Sequence, residues 1–264
     1  MHDATIAWRL QLSRLLSSGE TVNPRGIWTR ELPHQTIVVD MRRPVIVDNI
    51  RKLNYRFMAA EAFWILSGDD RAATIVPYNK AIAQFSDDGE TFFGAYGPRI
   101  HEQFDYVVEK LLADPTTRQA GLTTWRPSPP ATKDVPCTVA MFFSIRRDEL
   151  HAHVFMRSSD IWLGVPYDVF NFSMLAHLIC AMLNERKPVE KHTAPGILYM
   201  TAASSHLYET NVEGARSVLA AASKVPRTVT TPSMLFTDRE RLLTTLHELR
   251  DSAPGHPLRW WEGG

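Results

Sequence analysis

Apolar positions recur at helical spacing over residues 5–17, at Ile6, Leu10, Leu12, Leu15 and Leu16, and Gly19 follows as a stop signal. The stretch 36–47, Thr36-Ile37-Val38-Val39-Asp40 and then Pro44-Val45-Ile46-Val47, predicts strand or extended chain. Ile50, Leu53, Phe57, Met58, Phe63, Trp64 and Leu66 predict a mostly buried helix over 49–67, ended by Ser67-Gly68. Ile100, Phe104, Val107, Val108, Leu111 and Leu112 repeat the pattern over 100–113. The period then changes. Residues 118–125, 137–146 and 150–157 read as strands, the last two joined at Arg147-Asp148-Glu149. Val139-Ala140-Met141-Phe142-Phe143 is nearly all apolar, which predicts burial on both faces. A long apolar helix over 169–184, a strand near 196–203 and helical segments at 210–222 and 238–250 complete the chain.

Strands and helices mix without regular alternation, so the fold class is α+β. With no internal repeat or low-complexity linker, the 264 residues read as a single catalytic domain, 1–264. The hydrophobic fraction of 44% is ample for a core. Basic and acidic residues balance at 29 each, which argues against a nucleic-acid or membrane-surface partner. No apolar run approaches the roughly 18 residues of a membrane span. The start, Met1-His2-Asp3-Ala4-Thr5-Ile6, lacks the basic and apolar regions of a signal peptide. Two cysteines make no disulfide framework, and the expected setting is a cytoplasm with reduced thiols.

No Gly-rich dinucleotide fingerprint, phosphate loop, zinc-protease helix or Cys-x-x-Cys pair occurs. His151 and His153 share one face of a strand but lack a third ligand nearby, so no metal is expected and hydrogen-bonded strand histidines are the reading. Cys180 lies on an apolar helix and reads as packing.

Cys137 is different. It follows Pro136 at the start of a strand, behind a polar, turn-rich segment, and a thiol at such an edge is open to a ligand. Arg157-Ser158-Ser159-Asp160 comes twenty residues on, then Leu163-Gly164-Val165-Pro166-Tyr167-Asp168 and Asn171. This order resembles the thymidylate synthase superfamily, with its Pro-Cys, Arg-Ser-x-Asp and Leu-Gly-x-Pro-(Phe/Tyr)-Asn. Glu61 in the helix ending Gly68-Asp69, Gly94-Ala95-Tyr96-Gly97, and Ser205-His206-Leu207-Tyr208 extend the match over about residues 20–215.

The resemblance implies a large mixed sheet flanked by helices, a homodimer stacked sheet on sheet, and 5,10-methylenetetrahydrofolate as co-substrate without a metal. It makes Cys137 the nucleophile that adds to C6 of a pyrimidine nucleotide, so that C5 gains enamine-like reactivity. Arg157 is the cation expected to favour the thiolate. Arg157, Ser158, Arg25 and, across the dimer, Arg118 would hold the 5′-phosphate, because Arg forks suit phosphate oxygens. The family's second cross-subunit arginine is Gln119 here, a departure that weakens or moves this clamp. Glu61 resembles the general acid/base carboxylate, and a Glu among Ala, Phe and Trp is costly unless used or paired. His206 and Tyr208 resemble the pair that binds the sugar 3′-hydroxyl, Asp160 the pterin-binding aspartate, and Tyr96 a tyrosine near C5. Asn171 falls with the substrate-binding residues. Lys133 reads as a solvated lysine.

The informative departure is Asp168, where the family's synthases carry Asn against uracil. A carboxylate accepts well from the N4 amine of cytosine and offers no donor to O4 of uracil. The same exchange marks the cytidylate 5-hydroxymethylases of the superfamily. No Trp occurs between 65 and 124, and the chain ends Trp260-Trp261-Glu262-Gly263-Gly264, where the synthases use Trp and an apolar tail to keep the folate dry. Both departures favour water over hydride at the exocyclic methylene. The expected activity is C5 hydroxymethylation of a cytidine 5′-monophosphate, CMP ahead of dCMP, and the alternative is C5 methylation of a pyrimidine nucleotide.

Overall fold

A computed structural model of the chain describes residues 3–221 and 228–251; the terminal Trp260–Gly264 segment lies outside them. Six strands form one sheet in the order β1-β2-β6-β5-β4-β3. They are β1 (Glu20–Val22), β2 (Thr29–Asp40), β3 (Gly121–Thr123), β4 (Thr138–Arg146), β5 (Glu149–Asp160) and β6 (Ala194–Tyr208). All neighbours are antiparallel except β5 and β6. A parallel pair needs a crossover, and the 20-residue helix between these two strands supplies it. The arrangement is α+β, a mixed sheet flanked by helices.

The helices are α1 (Ala4–Ser18), α2 (Tyr55–Leu66), α3 (Ala72–Ile75), α4 (Tyr96–His101), α5 (Phe104–Ala113), α6 (Val165–Asn184), α7 (Val212–Ala220) and α8 (Arg239–Asp251). Local chemistry sets several boundaries away from the expected ones. The helix expected from 49 begins at Tyr55, because Asn54 caps it, its side chain accepting from the backbone N–H of Phe57 at 3.0 Å. The strand expected to run to 47 stops at Asp40, whose carboxylate accepts from the N–H of Arg42 at 3.0 Å and turns the chain. The helix expected over 100–113 is two helices. Gln103 pins the break to β3 by accepting from the N–H of Thr123 at 2.9 Å and donating to the carbonyl of Thr123 at 2.8 Å. The hairpin between β4 and β5 turns on Arg147 and Asp148, both at positive φ (54° and 59°), the twist a two-residue connection requires.

One face of the sheet is the core. Met141, Phe143 and Ile145 of β4, Ala152, Val154 and Met156 of β5, and Leu198 and Met200 of β6 pack with Trp8, Leu12 and Leu15 of α1 and almost every residue of α6. Helix α6 is long and apolar enough to cross a membrane, contrary to expectation, yet 94% of that stretch is buried inside the protein. The expectation that 139–143 is buried on both faces is also corrected. Met141 and Phe143 are buried, whereas Phe142 is 43% exposed and, beside it, Phe155 is 46% exposed. Alternation along β4 is present, but its outward residues are apolar too. On the same outer face His153 stacks on Tyr199 at 4.9 Å. His151 accepts from the N–H of Ile197 at 3.1 Å.

Candidate active site

Two of the motifs meet through a glycine. A side chain at Gly97 would place Cβ 2.6 Å from the carbonyl oxygen of Asp69, so the start of α4 lies directly on the turn that ends α2. That contact brings Glu61 of α2 and Tyr96 of α4 to one cavity. Tyr96 is held from the sheet: its hydroxyl accepts from both the N–H (3.2 Å) and the hydroxyl (3.0 Å) of Thr138. Burial pushes its phenol up, and the nearby Cys137 and Asp168 add to the effect.

Cys137 enters the cavity from the opposite wall. The register of β4 against β5 shifts between Thr138 and Ala140, a bulge immediately after the cysteine that re-aims the strand end. The guanidinium of Arg157 donates to the carbonyls of Pro136 (2.9 Å) and Val135 (2.8 Å), while its backbone N–H donates to the carbonyl of Cys137 (2.8 Å). Arg157 therefore clamps the peptide that carries the thiol. Burial raises the thiol pKa; Arg157 and the hydroxyl of Ser158 oppose the rise and Asp168 adds to it. The net direction is opposite to the lowering expected from Arg157 alone.

The third wall is the start of α6, which opens at Val165 rather than 169 and sets Asp168 in its first turn. Gly164 leaves room for this carboxylate: a Cβ there would come 3.1 Å from Oδ2 of Asp168 and 3.3 Å from the carbonyl oxygen of Asp160. Burial, and then the charge of Asp160, push Asp168 up to about 7. One turn on, the amide of Asn171 donates to Oε2 of Glu61 at 2.7 Å. Burial pushes Glu61 up to about 8 against that hydrogen bond, with Asp168 adding to the rise. Glu61 thus holds a proton at neutral pH.

These walls enclose about 200 Å³. Five predicted residues, Glu61, Tyr96, Cys137, Asp168 and Asn171, line the one cavity. Two lining residues were not singled out from sequence. Trp64 closes the apolar side with its indole N–H unpartnered. Asp134, raised by burial, accepts from the N–H of Gly94 at 2.7 Å. Only glycine permits that approach, because a Cβ at 94 would fall 2.5 Å from the carbonyl of Asp134. The polar turn before Pro136 was the available signal for Asp134.

Burial raises the phenol of Tyr208, Asp160 and Cys137 add to the rise, and Arg25 opposes it. Arg25 sits in a 3-10 turn at φ 55°. His206, lowered by burial, lies against Asp160 and at 5.3 Å from the ring of Tyr208. Asp160 accepts through Oδ1 from the N–H groups of Trp162 and Leu163, both at 2.8 Å, and its buried Oδ2 has no protein partner. Arg118 and Gln119 are not in this group; both are exposed in the bend before β3. Among the described residues no group of three His, Cys, Asp or Glu side chains could hold a metal.

A thiol, three raised carboxyls, an amide and a phenol in one half-open cavity suit covalent addition to an unsaturated ring with proton transfer at its edge. The sequence model of the family described as thymidylate synthase matches residues 8–241. The chain is 29% identical over 220 residues to the deoxyuridylate hydroxymethyltransferase of Bacillus phage SP01, covering 75% of this chain and 55% of the relative. It is 33% identical over 159 residues to the deoxyuridylate hydroxymethyltransferase of Delftia phage PhiW-14, covering 54% and 44%. It is 24% identical over 220 residues to the thymidylate synthase of Buchnera aphidicola subsp. Baizongia pistaciae, covering 78% and 80%. The chain thus spans about half the length of the two phage relatives.

Proposed function

This chain belongs to the thymidylate synthase family, and on that premise we propose that it hydroxymethylates C5 of a cytidine 5′-monophosphate, with CMP ahead of dCMP on the resemblance drawn from sequence. The observation that carries the reading is that Cys137 and Asp168 line one cavity. A thiol can there approach C6 from one wall while a carboxyl meets the amino edge of the base from another.

The chain's residues divide the work by what they touch. Cys137 adds to C6, and the positive field of Arg157 and the hydroxyl of Ser158 oppose the rise that burial imposes on the thiol and so favour the thiolate. Glu61, protonated at neutral pH, supplies and recovers a proton at the edge of the ring. Tyr96, its hydroxyl oxygen held by the N–H and hydroxyl of Thr138, stands near C5 on the resemblance drawn from sequence. Arg25, Arg157 and Ser158 take the phosphate, and His206 and Tyr208 take the sugar. The folate, when bound, supplies a carbon at the methylene level, which the family draws from methylenetetrahydrofolate. The residues fit it: the unpartnered buried Oδ2 of Asp160 is an acceptor suited to the N–H edge of a pterin. The carbon's bond to its carrier breaks as C5 loses its proton, leaving an exocyclic methylene; water adds to it as the Cys137–C6 bond breaks and the thiol is restored.

We assign the exposed outer sheet face, with Phe142, Phe155 and the His153–Tyr199 stack, to a homodimer. Arg118 would then reach the partner's phosphate site, which explains its position away from its own cavity.

A second reading, a uridylate substrate, has one observation in its favour. At a pKa of about 7 Asp168 is partly a neutral acid, which offers one donor and one acceptor as an amide does. The phage relatives are named for deoxyuridylate. Tritium release from C5-labelled CMP, dCMP, UMP and dUMP with methylenetetrahydrofolate separates the two. Release from CMP above UMP supports the proposal, and the reverse order overturns it.

A further inference from the structure

Asn171 is 4% exposed, and its side-chain oxygen is buried without a partner. A buried amide oxygen left without a hydrogen bond is costly, so such a group in a cavity wall suits an incoming donor. Its direction is fixed: the other end of the same planar amide donates to Oε2 of Glu61 at 2.7 Å. Asn171 stands three residues after Asp168 on α6, so both project from one face of the helix, and both line the cavity.

We propose that Asn171 is a second reader of the base, its side-chain oxygen accepting one hydrogen of an exocyclic amine while Asp168 accepts the other. The inference rests on the cytidylate reading above and deepens it. An exocyclic amine carries two N–H donors, and Asp168 uses one. The second points toward the C5 side of the ring, where the proposed pose sets Glu61 and Asn171. The carbonyl O4 of a uracil in the same pose has only lone pairs to set against the Asn171 oxygen, and the mismatch holds in either protonation state of Asp168. Asn171 therefore discriminates where a half-protonated Asp168 does so weakly. The ligand class is a 4-aminopyrimidine nucleotide.

The test is calorimetric binding of CMP and UMP to the folate-free protein, which needs no turnover. Wild type binds CMP more tightly than UMP. Asn171→Ala weakens CMP binding by about tenfold or more and leaves UMP binding unchanged or improved, the effect of one lost hydrogen bond and one lost repulsion. Asn171→Ser, which keeps a small polar group, serves where the alanine variant is poorly folded by circular dichroism, with the same loss expected. A purely structural role, acting through Glu61, would weaken both nucleotides equally, and that result overturns the inference. An unchanged CMP/UMP ratio in Asn171→Ala alongside a shifted ratio in Asp168→Asn removes Asn171 alone. Wild type without a CMP preference removes the cytidylate reading and this inference together.

Discussion

The amide of Asn171 and the carboxyl of Glu61 are joined by a 2.7 Å hydrogen bond across the cavity, between the start of α6 and the middle of α2. This bond ties the α6 wall of the cavity, which carries Asp168, to the α2 wall. It also holds a carboxyl whose pKa is pushed up to about 8 in contact with a neutral amide rather than a cation. A cation there would restore the ionised form and remove the acid.

The thiol is the first target. Cys137→Ala abolishes covalent capture of a 5-fluoropyrimidine nucleotide and lowers tritium release by about three orders of magnitude or more, since addition at C6 precedes every later step. Denaturing mass spectrometry reads the adduct. A retained adduct assigns the nucleophile elsewhere.

Base choice is the second. Asp168→Asn supplies a fixed donor for O4 and moves the preference toward UMP or dUMP by about tenfold. The measurement is kcat/KM on the four nucleotides, and an unchanged profile denies Asp168 its base-reading role.

Stability against pH follows from Glu61. Its folded pKa, about 8, lies above the ordinary carboxyl value of 4.5, so the native state binds the extra proton between them. Its contribution is whole below about pH 4.5 and is lost as pH rises toward 8. Glu61→Gln keeps an acceptor for Asn171 without the burden of a buried charge. It should therefore be more stable than wild type at pH 9 by about 1–3 kcal/mol, allowing for the part of the carboxyl open to the cleft, and nearly equal at pH 5. Urea unfolding at both pH values checks this; a gain that is larger at pH 5 contradicts it.

The glycine contact gives a fourth expectation. Gly97→Ala forces Cβ to within 2.6 Å of the Asp69 carbonyl, so α4 must back away from the end of α2. A loss of about 1–3 kcal/mol, near 2–4 °C in Tm per kcal/mol, follows. Turnover should fall with it, because Tyr96 and Glu61 separate. Thermal melts and tritium release on the same preparation test the link.

The outer sheet face gives a fifth. Phe142→Arg or Phe155→Glu places a charge on an exposed apolar patch and should yield a folded monomer by sedimentation, with weaker nucleotide binding if Arg118 acts across the interface. A wild-type chain that sediments as a monomer removes the dimer.

Long periodic segments were readable from residues alone: α1, α6 and the β4–β5 pair; Glu61, Tyr96, Cys137, Asp168 and Asn171, which line one cavity, came from the resemblance that the ordered motifs carry. What escaped depends on partners distant in the chain or on local competition. Asn54, not Ile50, starts α2, because a cap outweighs one apolar position. The outward residues of β4 hid its alternation, since Phe142 is as apolar as Phe143. Asp134 has no periodic signal; its place is set by Gly94, forty residues away, and only folding pairs them. The direction of the thiol's pKa was hidden because charge is visible in a sequence and depth is not.

Cys137 just before β4, the Arg157 clamp on β5, and Asp168 and Asn171 on α6 come from one stretch of chain, whereas Glu61 and Tyr96 arrive from α2 and α4. On the proposed roles, a new base preference would need changes only within that contiguous stretch, and exchanging it between relatives would carry the preference across while leaving α2 and α4 untouched.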